Sequence, residues 1–334
     1  MDYNTIWFML ITVLFIGFFV LEGFDYGVGM LLPLLGKKDE ERRAILNTIG
    51  PVWDSNEVWM ITAGGAMFAA FPQVYATLFS GAYLALILML VALILRGVAF
   101  EFRSKRPDAG WRTFWDWAIF GSSLVAALLW GAVVGNLMRG LAIDAHMTYW
   151  GGLLPLLNPF ALWAGVTFVA LFLLHGANFL ALRLGGSLEE RVQAVTFRLW
   201  LAATVITVIF VVWAFLGTDI LRSAGGLIPA ILAALSLLLV GYWLKKGRTG
   251  WAFVWGALTI ALATVMVFGG LYPRILISTL DPAYSLTIYN AASSAYTLKV
   301  MTVVALIFTP IALLYVGWAY WAFRARVKGE KLVY

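Results

Sequence analysis

The sequence predicts an all-α fold: a polytopic membrane helix bundle of nine transmembrane helices, N-terminus outside and C-terminus cytoplasmic, forming one integral membrane domain over residues 1–334. Three observations carry this. Of the 334 residues, 63% are apolar and only 12% are charged, where a soluble domain carries roughly 25% charged residues to solvate its surface. Apolar windows of about 20 residues, the length that crosses the hydrocarbon core, recur along the whole chain. The basic residues fall on alternate connections between those windows, as cytoplasmic connections require.

The windows lie near 6–33, 52–75, 78–102, 114–138, 159–182, 196–217, 224–244, 251–273 and 296–323. The first is expected to stay attached as a span rather than to be a cleavable leader. Asp2 is the only charge before Glu22, so a basic n-region is missing, and the apolar run from Ile6 to Leu35 is too long for an h-region. Connections are short, which excludes an inserted soluble domain. The longest is expected at 274–295, with Asp281-Pro282 and a polar stretch Asn290–Ser294. The 16 Trp suit rings that settle at headgroup level.

Lys37, Lys38, Arg42 and Arg43 lie between spans 1 and 2, and Arg103, Lys105, Arg106 and Arg112 between spans 3 and 4. Arg183, Arg191 and Arg198 are assigned to the 5–6 connection, Lys245, Lys246 and Arg248 to 7–8, and Arg324, Arg326, Lys328 and Lys331 to the C-terminus. Only Arg139, Arg222 and Arg274 fall on the other side, with Arg96 and Lys299 inside spans. Topology thus accounts for the pI of about 9.5 without nucleic acid. The absence of Cys removes disulfides, thiolate metal sites and thiol nucleophiles.

Ionisable residues inside spans are expensive and count as functional candidates. Span 1 carries Glu22 and Asp25, three apart and hence on one helix face, flanked by Gly23 and Gly27, whose spacing lets a neighbouring helix approach closely. Span 2 opens with Pro51, suited to a first helical position, then Trp53, Asp54, Asn56 and Glu57. Its two carboxylates sit in the first turns, where the helix dipole favours negative charge. Arg96 and Glu101 end span 3. Counted at 1.5 Å per residue, these groups share one slab on the cytoplasmic side. Glu57 and Glu101 equally suit wet headgroup territory. For Asp25 and Asp54 a functional reading is preferred, because one Arg cannot neutralise five carboxylates and burial moves a carboxyl toward proton-transfer chemistry.

Haem ligation by this chain is not expected. Axial ligands are usually His, with Met, Cys or Tyr in particular classes. Of the two His, His146 lies in an outside connection, and His175 in span 5 reads as a residue hydrogen-bonded to a neighbouring helix. No metal site, phosphate loop or hydrolase elbow is present in the sequence.

Several stretches resemble subunit II of the cytochrome bd-type quinol oxidases. Gly23-Phe24-Asp25-Tyr26-Gly27-Val28-Gly29 is similar to that family's Gly-Phe-Asp-x-Gly-Val-Gly. Trp53-Asp54-Ser55-Asn56-Glu57-Val58-Trp59 is similar to its Trp-Asp-Gly-Asn-Glu/Gln-Val-Trp, with Ser55 replacing Gly. Residues 61–72, Arg96 to Arg103, Trp115-Asp116-Trp117 and Leu157-Asn158-Pro159-Phe160 continue the match, while the connection after span 6 is shorter than in some members. The resemblance implies a haem-free subunit with no catalytic residue of its own. Its partner, subunit I, would carry two b-type haems, one d-type haem and the quinol site. The complex would oxidise quinol and reduce dioxygen to water, taking protons from the cytoplasm of a prokaryote. This chain would support the partner and contribute Asp25, Asp54, Glu57 and Glu22 to a proton route, with Arg96 as their charge partner and Trp53, Gly23, Gly27 and Asn56 supporting them. Membrane lipid, a small accessory membrane subunit and a structural quinone complete the implied partners. An ion-coupled secondary transporter is the rival, since intramembrane carboxylates and Gly-rich helices also mark carriers.

The basic asymmetry makes a topological prediction. A reporter fused after Tyr334 should read cytoplasmic and one inserted between Arg139 and Trp150 external; matching signals at both would refute the nine-span topology.

Overall fold

A computed structural model describes residues 2–327, so Lys328 and Lys331 lie outside the described residues. It consists of α1 (Tyr3–Leu35), α2 (Asp39–Ile49), α3 (Trp53–Ala70), α4 (Pro72–Gly81), α5 (Tyr83–Phe102), α6 (Ala109–Arg139), α7 (Pro159–Arg183), α8 (Gly186–Gly217), α9 (Ala224–Lys245), α10 (Thr249–Leu271) and α11 (Ala295–Ala322). A two-stranded antiparallel hairpin, β1 (Arg274–Leu276) with β2 (Leu286–Thr287), sits between α10 and α11. Among the described residues, eight helices are long and apolar enough to cross a membrane.

The second expected window is the exception. Its 52–75 is broken at Phe71-Pro72, where the chain turns from α3 into α4, and the third window, expected at 78–102, starts its helix only at Tyr83. Pro cannot donate to the preceding turn, so α3 ends and Pro72 opens the next helix. Pro51 likewise stands ahead of the helix, which begins at Trp53. The 18 residues of α3 rise about 27 Å, and its ends touch opposite faces of the bundle. Near its start Asn56 bonds to α1 and α11, while the carbonyls of Ala69 and Ala70 at its end accept from Ser293 before α11. It therefore runs the full height, although Asp54, Asn56 and Glu57 make it more polar than the other eight.

Same-side connections meet as the charge pattern requires. At one end, Arg42 and Arg103 pair with Asp116, Arg103 and Arg112 with Asp39, Arg191 with Glu41, and Arg326 with Glu189. These bridges join α2, the α5–α6 corner, α6, α8 and the C-terminal segment. Arg183, Arg191 and Arg198 belong to helices rather than to a loop, since only residues 184 and 185 separate α7 from α8. Outside the spans, hydrogen bonds from Arg191 hold the Glu41 carboxyl down to about 2. A lowered folded value means the contribution is present at neutral pH and is lost only as pH falls toward that value. At the opposite end, Leu141 bridges Ser278, Asn4 donates to the Ile288 carbonyl, and Arg274 pairs with Asp219.

The centre of the bundle is α1 against α7. Gly27 and Gly176 lie backbone to backbone: a Cβ on Gly27 would overlap the Phe172 carbonyl, and one on Gly176 would stand 2.6 Å from the Val28 nitrogen. This is the close approach expected of Gly23 and Gly27. Gly176→Val should therefore force the helices apart, costing about 1–3 kcal/mol or more and lowering the melting temperature of the purified complex, whereas Gly121→Ala, with nothing within 4 Å of its Cβ, should leave it unchanged.

Candidate functional site

α1 carries its two carboxylates into the bundle because both are flanked by residues that pack: Gly23 and Gly27 toward α7, and Phe24, Tyr26 and Val28 into the core. Glu22 and Asp25 are 0% exposed and Arg96 of α5 is 1% exposed. Glu22 accepts from Arg96, whose guanidinium lies 4.8 Å over the Tyr26 ring and 5.4 Å over that of Phe100. Asp25 feels the charge of this cation but makes no hydrogen bond to it. Its Oδ2 accepts from Asn56 Nδ2 at 2.6 Å, and Asn56 Oδ1 accepts from the Tyr320 hydroxyl at 2.6 Å. Four helices, α1, α3, α5 and α11, thus converge on one polar cluster in an apolar interior.

The expected slab of carboxylates resolves into a gradient. Glu22 and Asp25 are buried, Glu57 is half-buried, and Asp54 and Glu101 are exposed. Asp54 acts electrostatically on Glu57, and Glu57 on Glu22, Asp25 and Arg96. Trp53 stacks on Phe100 at 5.1 Å between centroids and so ties the start of α3 to α5. Glu22 Oε2, Asp25 Oδ1, Tyr26 Oη, and Arg96 Nε and Nη2 are buried without a hydrogen-bond partner among the described residues.

Sequence reasoning missed two participants. Tyr320 lies in the aromatic run Trp318-Ala319-Tyr320-Trp321, which reads as an interfacial belt. Asp116, within a Trp-Asp-Trp stretch, is fully buried and receives both Arg42 and Arg103, at 2.9 and 2.6 Å. The arginines crowding the 1–2 and 3–4 connections were the available signal for the second.

His175 behaves as its bland reading expects. Its ring stacks on Phe253 at 4.6 Å and 6°, and Nε2 lies 3.1 Å from the Val20 carbonyl. A Cβ on Gly256 would stand 3.3 Å from Nδ1, so α10 packs directly against the ring. Among the described residues no three His, Asp or Glu side chains gather as a metal site.

The profile of the cytochrome bd terminal oxidase subunit II family matches residues 3–323. This chain belongs to that family. It is similar to cytochrome bd ubiquinol oxidase subunit 2 of Bacillus subtilis, with 41% identity over 98% of each chain. Against cytochrome bd-I ubiquinol oxidase subunit 2 of Escherichia coli K12 the identity is 39%, over 98% of this chain and 96% of the relative. The bd oxidase structure from Geobacillus thermodenitrificans shares the fold, with a TM-score of 0.76 at 18% identity, covering 94% of this chain and 97% of that one. Membership makes the chain a multi-span subunit of a bacterial plasma-membrane respiratory oxidase, and it implies a subunit I partner that carries the haems. It also removes the carrier reading. The two stretches that resembled the family on paper meet in space, since Asp25 of the first is bonded to Asn56 of the second.

Removing one member of a buried ion pair strands the other, at about 3–5 kcal/mol. Arg96→Leu should therefore destabilise the complex by about that amount in thermal unfolding, and adding Glu22→Gln should recover much of the loss. Equal instability of the single and double variants would show that Arg96 acts through something other than Glu22.

Proposed function

We propose that this chain is the haem-free subunit of a quinol:oxygen oxidoreductase and that its buried carboxylates lead protons from the cytoplasm toward the haem-bearing partner. The observation that carries the reading is Asp25: a fully buried carboxylate whose nearest cation, Arg96, is already engaged by Glu22. One guanidinium balances one carboxylate, so a proton is the natural counter-charge of the second. Exposed Asp54 and half-buried Glu57 form the approach, and the polar atoms of Glu22, Asp25, Tyr26 and Arg96 that lack a partner among the described residues stand at its inner end. The end where these residues enter is the end that gathers the basic connections, which the positive-inside rule makes cytoplasmic.

The remaining assignments follow the family. Subunit I would hold two b-type haems and one d-type haem, with nine spans in this chain. An apolar groove of about 580 Å³ bordered by Phe15, Phe19, Gly64, Gly65, Tyr83 and Trp130 is where the isoprenoid tail of a structural quinone would lie.

Asp25→Asn keeps shape and hydrogen bonding but cannot carry a proton. It should slow oxygen consumption at saturating quinol on the order of 10²-fold while leaving the haem spectrum intact. Asp54→Asn, at a site water can reach, should slow it less. Normal turnover in Asp25→Asn would defeat the relay, and loss of haem would point to a structural role instead.

A further inference from the structure

The last helix stands apart from the bundle. Leu298 is its only buried residue, yet near its other end it reaches a fully buried polar group of the site. The Tyr320 hydroxyl donates to Asn56 Oδ1 across 264 residues of sequence, and Asn56 is 0% exposed. We propose that Tyr320 is a positioning residue for Asp25, acting through Asn56: its hydroxyl anchors the Asn56 amide in place against the carboxylate. The inference rests on the proton-entry reading of Asp25.

The argument is one of donor and acceptor polarity. A side-chain amide has an accepting oxygen and a donating nitrogen, and rotation by half a turn exchanges them. An ionised Asp25 can only accept, so it takes the nitrogen end, with Nδ2 at 2.6 Å from Oδ2, and the Tyr320 hydroxyl donates to the oxygen end that is left. Rotated, the amide would present oxygen to oxygen, an acceptor against a carboxylate. Within a low-dielectric interior such a mismatch costs far more than at a surface. Besides Asp25, Tyr320 is the one side chain hydrogen-bonded to that of Asn56 among the described residues. The other charged or titratable groups around the cluster are Glu22 and Tyr26 of α1, Asp54 and Glu57 of α3, Arg96 of α5 and Arg183 of α7. None of them is hydrogen-bonded to the Asn56 side chain in the structure. The bland alternative is that Tyr320 staples α11 to the bundle, as an interfacial tyrosine does. A staple needs only a hydroxyl and any acceptor. Here the acceptor is the one buried amide already bound to Asp25.

A double-mutant cycle separates the two roles. Turnover of the purified complex is measured per haem at saturating quinol in four forms: unaltered, Tyr320→Phe, Asp25→Asn, and both together. Tyr320→Phe should slow the unaltered complex about three- to tenfold, the rate equivalent of one hydrogen bond, with the KM for quinol unchanged. In the Asp25→Asn background it should change turnover less than about twofold, since the group it positions is gone. Trp321→Phe, on the neighbouring position, should leave turnover as it was. Equal slowing in both backgrounds would make Tyr320 a staple and overturn the proposal, as would full activity of Tyr320→Phe alone. If Asp25→Asn itself turns over normally, the proton-entry reading fails and this inference with it. Slow Asp25→Asn beside fast Tyr320→Phe overturns only the positioning role. Should Tyr320→Phe assemble poorly, Asn56→Leu decides: it should be at least as slow per haem, and unaltered turnover in that variant overturns the proposal.

Discussion

A charge that enters the bilayer must find its compensation inside the protein, because no water is there to supply it. The ion pair between Glu22 and Arg96 meets that demand, and the architecture around it follows. It fixes α1 against α5 at one depth, and Tyr26 and Phe100 close over the guanidinium with their ring faces. Asp25, one turn further along the same face, is then left to a neutral partner. Asn56 can reach it only because α3 packs along α1, and α7 closes the other side through the Gly27–Gly176 contact.

The chain builds charge clusters of two characters. At the basic end, three arginines meet two aspartates, and Asp116 and Asp39 each receive two guanidinium contacts. That network is rich in cations and binds α2, α5 and α6, with Asp116 and Arg103 buried and Asp39, Arg42 and Arg112 reaching toward solvent. The inner cluster has the opposite balance, with carboxylates outnumbering the single Arg96. A network in which each carboxylate meets two guanidinium groups resists change in protonation and suits an anchor. An acid-rich one in a dry interior responds to a single proton, which suits transfer.

Much of this is legible in the sequence, for a physical reason. A bilayer imposes composition and length on every crossing segment, so apolar windows and basic asymmetry report architecture directly. Glu22, Asp25 and Arg96 stood out because intramembrane charge is rare. What escaped was contact across long sequence separation and local breaks. The turn at Phe71-Pro72 hides inside a continuous apolar run, and the β1–β2 hairpin inside a loop. Asp54 looked equivalent to Asp25 by spacing, yet one is exposed and the other buried, since helix periodicity assigns a face but not what covers it. Tyr320 resembled its aromatic neighbours because a belt tyrosine and a network tyrosine carry the same side chain.

The sparse packing of α11 has a mechanical consequence. It is pinned near one end by the Trp7 indole, which donates to the Leu298 carbonyl and Thr302 hydroxyl at 3.1 Å each, and near the other by Tyr320, with Val327 N donating to the Arg183 carbonyl just beyond. Between these pins lie about 33 Å of helix with no buried residue, interrupted by Pro310, which removes one rung of the backbone ladder. Such a helix is a beam supported at both ends with a hinge in its span. Its compliance is greatest at mid-membrane and smallest at the supports, so the middle can bend to follow a neighbouring surface while the hydroxyl at Asn56 stays in register.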